Sequence, residues 1–139
     1  PFVATLAQVA TDLDQFAEEE ERGGLLIEDR YGNNSLQNLT LMSHSGNEEE
    51  LNQRIETVCL SQFIQLRQMG LFKQEDIPRY ELVHKMCYRD YFSENTFQFL
   101  VEWYPTSLVL ISEHGWLPLH CAALSSSIEG FRTVFEYII

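Results

Sequence analysis

The side chains best suited to chemistry in this chain are His84-x-x-Cys87, His114 and the pair His120-Cys121. Imidazole and thiolate are zinc ligands, and His84 and Cys87 stand one helical turn apart, near enough to share an ion. A thiolate beside an imidazole is also the start of a nucleophilic site. Both readings run short of partners. The cysteines show no CxxC spacing, the Cys–His pair lacks a third orienting group, and no Gly-rich phosphate loop is present. Arg22-Gly23-Gly24 reads as a helix stop instead. These residues are therefore assigned to packing or to turn anchoring. No catalytic residue, metal or cofactor is expected, and the chain is not read as an enzyme.

The elements that position these residues are constrained by composition. With 139 residues, 45% of them hydrophobic, the chain can bury one ordinary core or a short run of stacked units. Net charge is -12, with 12 acids to 4 bases over residues 1–70 and 9 to 5 over 71–139. Glu18–Glu21 and Glu48–Glu50 supply much of the excess. Such a surface repels nucleic acid and anionic membranes, and it favours a protein partner with a basic patch. No apolar run approaches the roughly 18 residues of a membrane span. Three cysteines, an odd number without pairing signals, fit reduced thiols in a cytoplasmic or nuclear setting. The sequons at Asn33 and Asn38 carry little weight beside that reading. Pro1-Phe2-Val3-Ala4 does not read as a signal peptide, and the last residues continue an apolar helical pattern without a cap. The chain is expected to be an excerpt of a longer protein, cut at both ends.

Hydrophobic spacing predicts helices almost throughout. Phe2, Leu6, Val9, Leu13 and Phe16 form a stripe, read as the core-facing side of a helix over 2–17 that stops at Gly23-Gly24. Asn34 or Ser35 caps a second helix with Leu39 and Met42 on its buried side. Ser43–Asn47 reads as a loop. A long helix over 49–69 turns Leu51, Ile55, Val58, Cys59, Gln62, Phe63 and Leu66 inward and ends at Gly70. Glu75–Pro78 forms a turn, followed by a helix carrying Leu82, Val83, Met86 and Cys87. Another, over 96–104, carries Phe97, Leu100 and Val101 and is closed by Pro105. Leu108–Ile111 reads as a β-capable link, and the last pair spans 117–124 and 128–139. Trp103, Phe97, Phe99, Phe131 and Phe135 are assigned to the core.

Internal periods decide what this array is. Val83-His84 matches Leu119-His120 at an offset of 36, and Phe97 and Val101 match Phe131 and Phe135 at 34. Gly32 with Ser35-Leu36-Gln37 matches Gly115 with Pro118-Leu119-His120 at 83, so the first unit carries an insertion.

Gly115-Trp116-Leu117-Pro118-Leu119-His120-Cys121-Ala122-Ala123 resembles the T-P-L-H-x-A motif of the ankyrin repeat, with Leu117 in place of threonine. Asp29 to Gln37 is similar to the same motif, with Ser35 for proline and Gln37 for histidine. Tyr80 to Cys87 lacks both the glycine and the proline. Tyr91-Phe92-Ser93, Phe99 to Trp103 and Leu117-Pro118-Leu119-His120 also resemble a divergent group of ankyrin-like proteins common in diatoms. The resemblance implies an all-α, ankyrin-type α-solenoid of stacked helix-turn-helix repeats with short finger or hairpin connectors. Its units are residues 1–28 (the tail of a preceding repeat), 29–75 with the insertion, 76–111, and 112–139.

In such a stack, neighbouring helix pairs share one continuous core. The resemblance gives Gly32, Leu36, Gly115, Pro118 and Leu119 motif roles. It lets Ala122 and Ala123 bring paired helices close, and makes His120 and His84 hydrogen-bond within and between finger turns. It implies a protein–protein interaction scaffold binding on a concave groove. Residue by residue, the implied contacts are Tyr31, Asn33 and Asn38; Arg79, Tyr80, Lys85 and Tyr88; and His114, Trp116, Cys121 and Ser125. Trp116 and Tyr80 fit packing on the next finger as well as partner contact. Two further readings remain open: the regulatory or targeting arm of a larger enzyme, and a helical domain with a metal or small-molecule site.

Overall fold

The computed structural model describes residues 2–15, 21–42, 49–125 and 127–139. These residues form an all-helical chain without a strand. In order, the helices are α1 (Val3–Asp12), α2 (Ser35–Leu41), α3 (Glu49–Gln68), the single turn α4 (Asp76–Arg79), α5 (Leu82–Cys87), α6 (Glu94–Trp103), α7 (Pro118–Leu124) and α8 (Ile128–Ile138). A 3-10 helix over Pro105–Val109 follows α6.

The helices pack in two rows. In the front row α5 lies between α2 and α7. In the back row α1 packs on α3 and α3 on α6, while the Tyr137 ring of α8 meets Phe97 of α6 edge-on at 5.6 Å. Consecutive helices join the rows as the pairs α2–α3, α5–α6 and α7–α8. One apolar core runs through them, with Leu36, Phe63, Leu66, Leu82, Phe97, Leu100 and Val134 essentially sealed from solvent. The inward face expected of α5 is the observed one, since Leu82, Val83, Met86 and Cys87 are all buried.

Local sequence explains the boundaries. Asn34 caps α2 in a reciprocal box: its side chain accepts from the Gln37 N–H, and the Gln37 side chain accepts from the Asn34 N–H. α3 ends beside Gly70, whose left-handed φ of 73° suits a glycine. α6 ends before Pro105, which starts the 3-10 helix instead of a β-type link. At the start of α5 no glycine is available. The short helix α4 leads instead to Glu81, which takes the left-handed conformation itself at φ 52°.

Several expectations are corrected. α1 stops at Asp12, well short of Gly23-Gly24, and Phe16 with residues 17–20 lies outside the described residues, as do the loop 43–47 and Glu48. The α1 stripe does not face the core: Leu6 is 65% and Leu13 67% exposed, while Ala4 and Ala7 are buried. The reason is close approach. Ala4 donates its N–H to Gln62 Oε1 of α3 at 3.0 Å, and Gly23 sits against the Ala7 carbonyl, so only small side chains fit. Phe131 and Phe135 are likewise exposed, stacked on one another at 6.1 Å, and Gly130 and Val134 are buried in their stead. Met42 and Val58 are exposed, and Ala123 is exposed while Ala122 is buried. Of the two alanines, only Ala122 brings α7 close to its neighbours, beside buried Pro118 and Cys121.

A cleft as the candidate functional site

Two turns with nearly identical bonding frame the site. In the first, the Asp29 N–H donates to the Asn33 carbonyl at 2.8 Å and the Gly32 N–H to the Asp29 carbonyl at 3.0 Å. In the second, the Ser112 N–H donates to the Trp116 carbonyl at 2.8 Å and the Gly115 N–H to the Ser112 carbonyl at 2.9 Å. Gly32 and Gly115 both carry left-handed φ, at 76° and 80°. The side chain opening each turn gathers two more amides. Asp29 Oδ1 accepts from Tyr31 and Asn33, and Ser112 Oγ accepts from His114 and Trp116. This is Asx- and Ser/Thr-turn chemistry, which closes a tight turn without a strand.

Each turn hands over to a helix through a matching pair of polar contacts. Gln37 Oε1 holds the Asn34 N–H, and His120 Nδ1 holds the Leu117 N–H at 3.1 Å. Links then cross to the next helix pair. Gln37 Nε2 donates to the Tyr80 carbonyl at 3.3 Å, and His84 Nε2 lies 3.0 Å from the carbonyls of both Leu110 and Trp116. Both partners of His84 Nε2 are acceptors, so that nitrogen carries the proton.

Between the second turn, α5 and α7 opens a cleft of about 440 Å³. It brings together Lys85, Tyr88, His114, Trp116 and Cys121 of the expected contacts. Asn33 joins through its Oδ1, which accepts from Lys85 Nζ at 3.3 Å. The other expected contacts lie elsewhere. Arg79 packs its guanidinium over the Tyr80 ring, and that ring packs on the core. Ser125 closes the end of α7, where its Oγ donates to the Ala122 carbonyl and accepts from the Ser127 N–H. Asn38 is bound to Asp29 Oδ2, and exposed Tyr31 carries Arg30 over its ring, both at the first turn.

The cleft also has members that the sequence pattern did not single out: Leu41, Glu81, Arg89, Ser112 and Glu113. Ser112 was discoverable, since it stands where Asp29 stands at the same offset of 83 that relates the two glycines. Glu81 Oε1 accepts the Glu113 N–H at 2.6 Å and so ties the second turn to α5. Arg89 donates to the Thr40 and Met42 carbonyls at the end of α2, as a cation suits a helix C-terminus.

The ligating candidates do not assemble. Among the described residues no group of three or more His, Cys, Asp or Glu is placed to hold a metal ion. Cys59, Cys87 and Cys121 are free and buried, and burial pushes each thiol above its ordinary value, with Cys87 shifted furthest. Cys121 is thus a buried wall of the cleft and a poor nucleophile. Among the described residues no helix is long and apolar enough to cross a membrane. No family model, curated protein or solved structure matches this chain.

Proposed function

We propose that the chain is a divergent ankyrin-type stack serving as a protein-binding scaffold, with the cleft between the second turn, α5 and α7 as its contact site. One observation carries the reading: Lys85, Tyr88, His114, Trp116 and Cys121, scattered over 37 positions of sequence (85 to 121), line a single hollow. Trp116 and Tyr88 are exposed there, and half-desolvated aromatics are the usual anchors of a protein interface. The cross-links from Gln37 and His84 support a stack in which each helix pair is held to the next. The acidic remainder of the surface favours a partner carrying basic patches, chiefly through its rate of association. Three free thiols support a reducing compartment.

A photo-crosslinking side chain at Tyr88, with another at Glu102 on α6 as reference, tests the reading in the full chain. A protein captured from Tyr88 and not from Glu102 is expected to bind the Trp116→Ala variant more weakly by over about 1 kcal/mol at unchanged helicity. Undiminished affinity of that variant sinks the cleft as the contact site.

A further inference from the structure

The cleft holds two cations, Lys85 and Arg89, with two carboxylates, Glu81 and Glu113, on its wall. With 21 acids to 9 bases, cations here are expected to be neutralised by neighbouring carboxylates. Arg22 is bound to Asp76, and Arg54 to Glu50. Arg67 and Arg79 lie over aromatic rings, and the cleft cations Lys85 and Arg89 meet neutral acceptors. Among the described residues, Lys85 bonds the neutral amide of Asn33, and Arg89 bonds the backbone carbonyls of Thr40 and Met42. Neither forms an ion pair among the described residues. Burial also strips water from the Arg89 guanidinium and lowers its pKa, so its charge is poorly screened.

Each carboxylate on the cleft wall has a contact of its own, and Glu113 is largely exposed. Glu81 holds the Glu113 N–H, and Glu113 lies 3.5 Å from the His114 ring. Lys85 has three donors and spends one on Asn33. Beside it stand the aromatic faces of Tyr88 and Trp116.

We propose that this cleft binds a peptide segment of a partner protein through one carboxylate side chain, Asp or Glu, flanked by an apolar residue. The carboxylate meets Lys85 in the field of Arg89, and the apolar neighbour lies on Trp116 and Tyr88. The surrounding charge of -12 repels a run of acids, so the segment carries its single carboxylate in a stretch that is otherwise neutral or basic. This inference rests on the protein-binding reading of the cleft and specifies the chemistry of its occupant.

Selection of short random peptides on the full chain, with selected peptides resynthesised, separates the two claims. Peptides that lose binding to the Trp116→Ala variant occupy the cleft. Those peptides are expected to share an Asp or Glu next to an apolar residue, and changing it to Asn or Gln weakens binding about tenfold. Lys85→Gln weakens the parent peptide by a similar factor, and Lys85→Glu restores binding to the Asp- or Glu-to-Lys peptide. Helicity of both variants, read by circular dichroism, stays that of the parent. Cleft-binding peptides that are basic or wholly neutral overturn the carboxylate assignment and leave the cleft standing. An absence of any Trp116-dependent peptide overturns both.

Discussion

His84 donates its Nε2 proton to the carbonyl of Trp116, the residue four positions before His120. Gln37 does the same to Tyr80, four positions before His84. Two different side chains thus perform one task in successive helix pairs.

That equivalence makes the effect of substitution at His84 selective. His84→Ala leaves the part-buried Leu110 carbonyl without its side-chain donor and Trp116 with the Ser112 N–H alone, and is expected to cost about 1–3 kcal/mol. His84→Gln supplies an amide donor, as Gln37 does, and is expected to recover most of that loss. Urea midpoints at constant slope measure both. Equal losses for the two variants would show that ring packing, not donation, is what His84 contributes.

Gly23 and Gly32 share a left-handed φ but not their surroundings. A Cβ on Gly32 meets nothing, so Gly32→Ala incurs only the backbone cost of about 1–2 kcal/mol. A Cβ on Gly23 collides with the Ala7 carbonyl of α1. Gly23→Ala is therefore expected to be the more damaging of the two and to loosen α1 specifically, seen as faster amide exchange at Ala4 and Ala7.

Arg22 and Asp76 form a buried ion pair in which Asp76 is wholly sealed and also accepts the Lys73 N–H at 2.8 Å. Removing one charge strands the other, so Asp76→Ala is expected to cost about 3–5 kcal/mol. The double change Arg22→Met with Asp76→Leu is expected to cost less than the single one. Thermal or urea unfolding of the two proteins decides the order.

Two groups contribute to the pH dependence of the fold. The Asn38 amide, then the Asn33 and Tyr31 N–H groups, hold the Asp29 carboxyl below its ordinary value of 3.8. The stabilisation is present above that value and is lost as pH falls through the lowered one. At the other limit, burial and then Glu56 push Tyr91 from 10.0 up to about 12. Its contribution is full below pH 10 and disappears as pH rises toward 12. Carboxyl carbon shifts with and without Asn38→Ala, and phenolate absorbance with and without Tyr91→Phe, follow each limit. A Tyr91 that ionises with exposed tyrosines removes the alkaline one.

The helices were legible from spacing because apolar periodicity reports that one face must be covered. It does not report which neighbour covers it. On α5, enclosed on both sides, the apolar face and the buried face coincide. On α1 and α8 they diverge: α1 meets α3 at Ala4 and sets Ala7 against Gly23, α8 buries Gly130 against the Phe92 ring, and Leu6, Leu13, Phe131 and Phe135 are left outward. The cleft was legible where a residue belongs to the motif, as Lys85 and Trp116 do. Arg89 and Glu81 escaped because their roles lie in bonds to Thr40 and Glu113, 49 and 32 residues away, which no local spacing encodes.

The links between helix pairs also give the molecule a direction. The two equivalent links, from Gln37 and His84, each run from a donor side chain on one pair to a carbonyl on the next. His120 occupies the position of Gln37 and His84, is exposed, and accepts the Leu117 N–H at its Nδ1, which leaves Nε2 as the donor. The Asn33 carbonyl matches that of Trp116 and, among the described residues, receives only its own turn's amide. A two-fold pairing of like edges would set donor against donor, whereas head-to-tail contact would match donor to carbonyl.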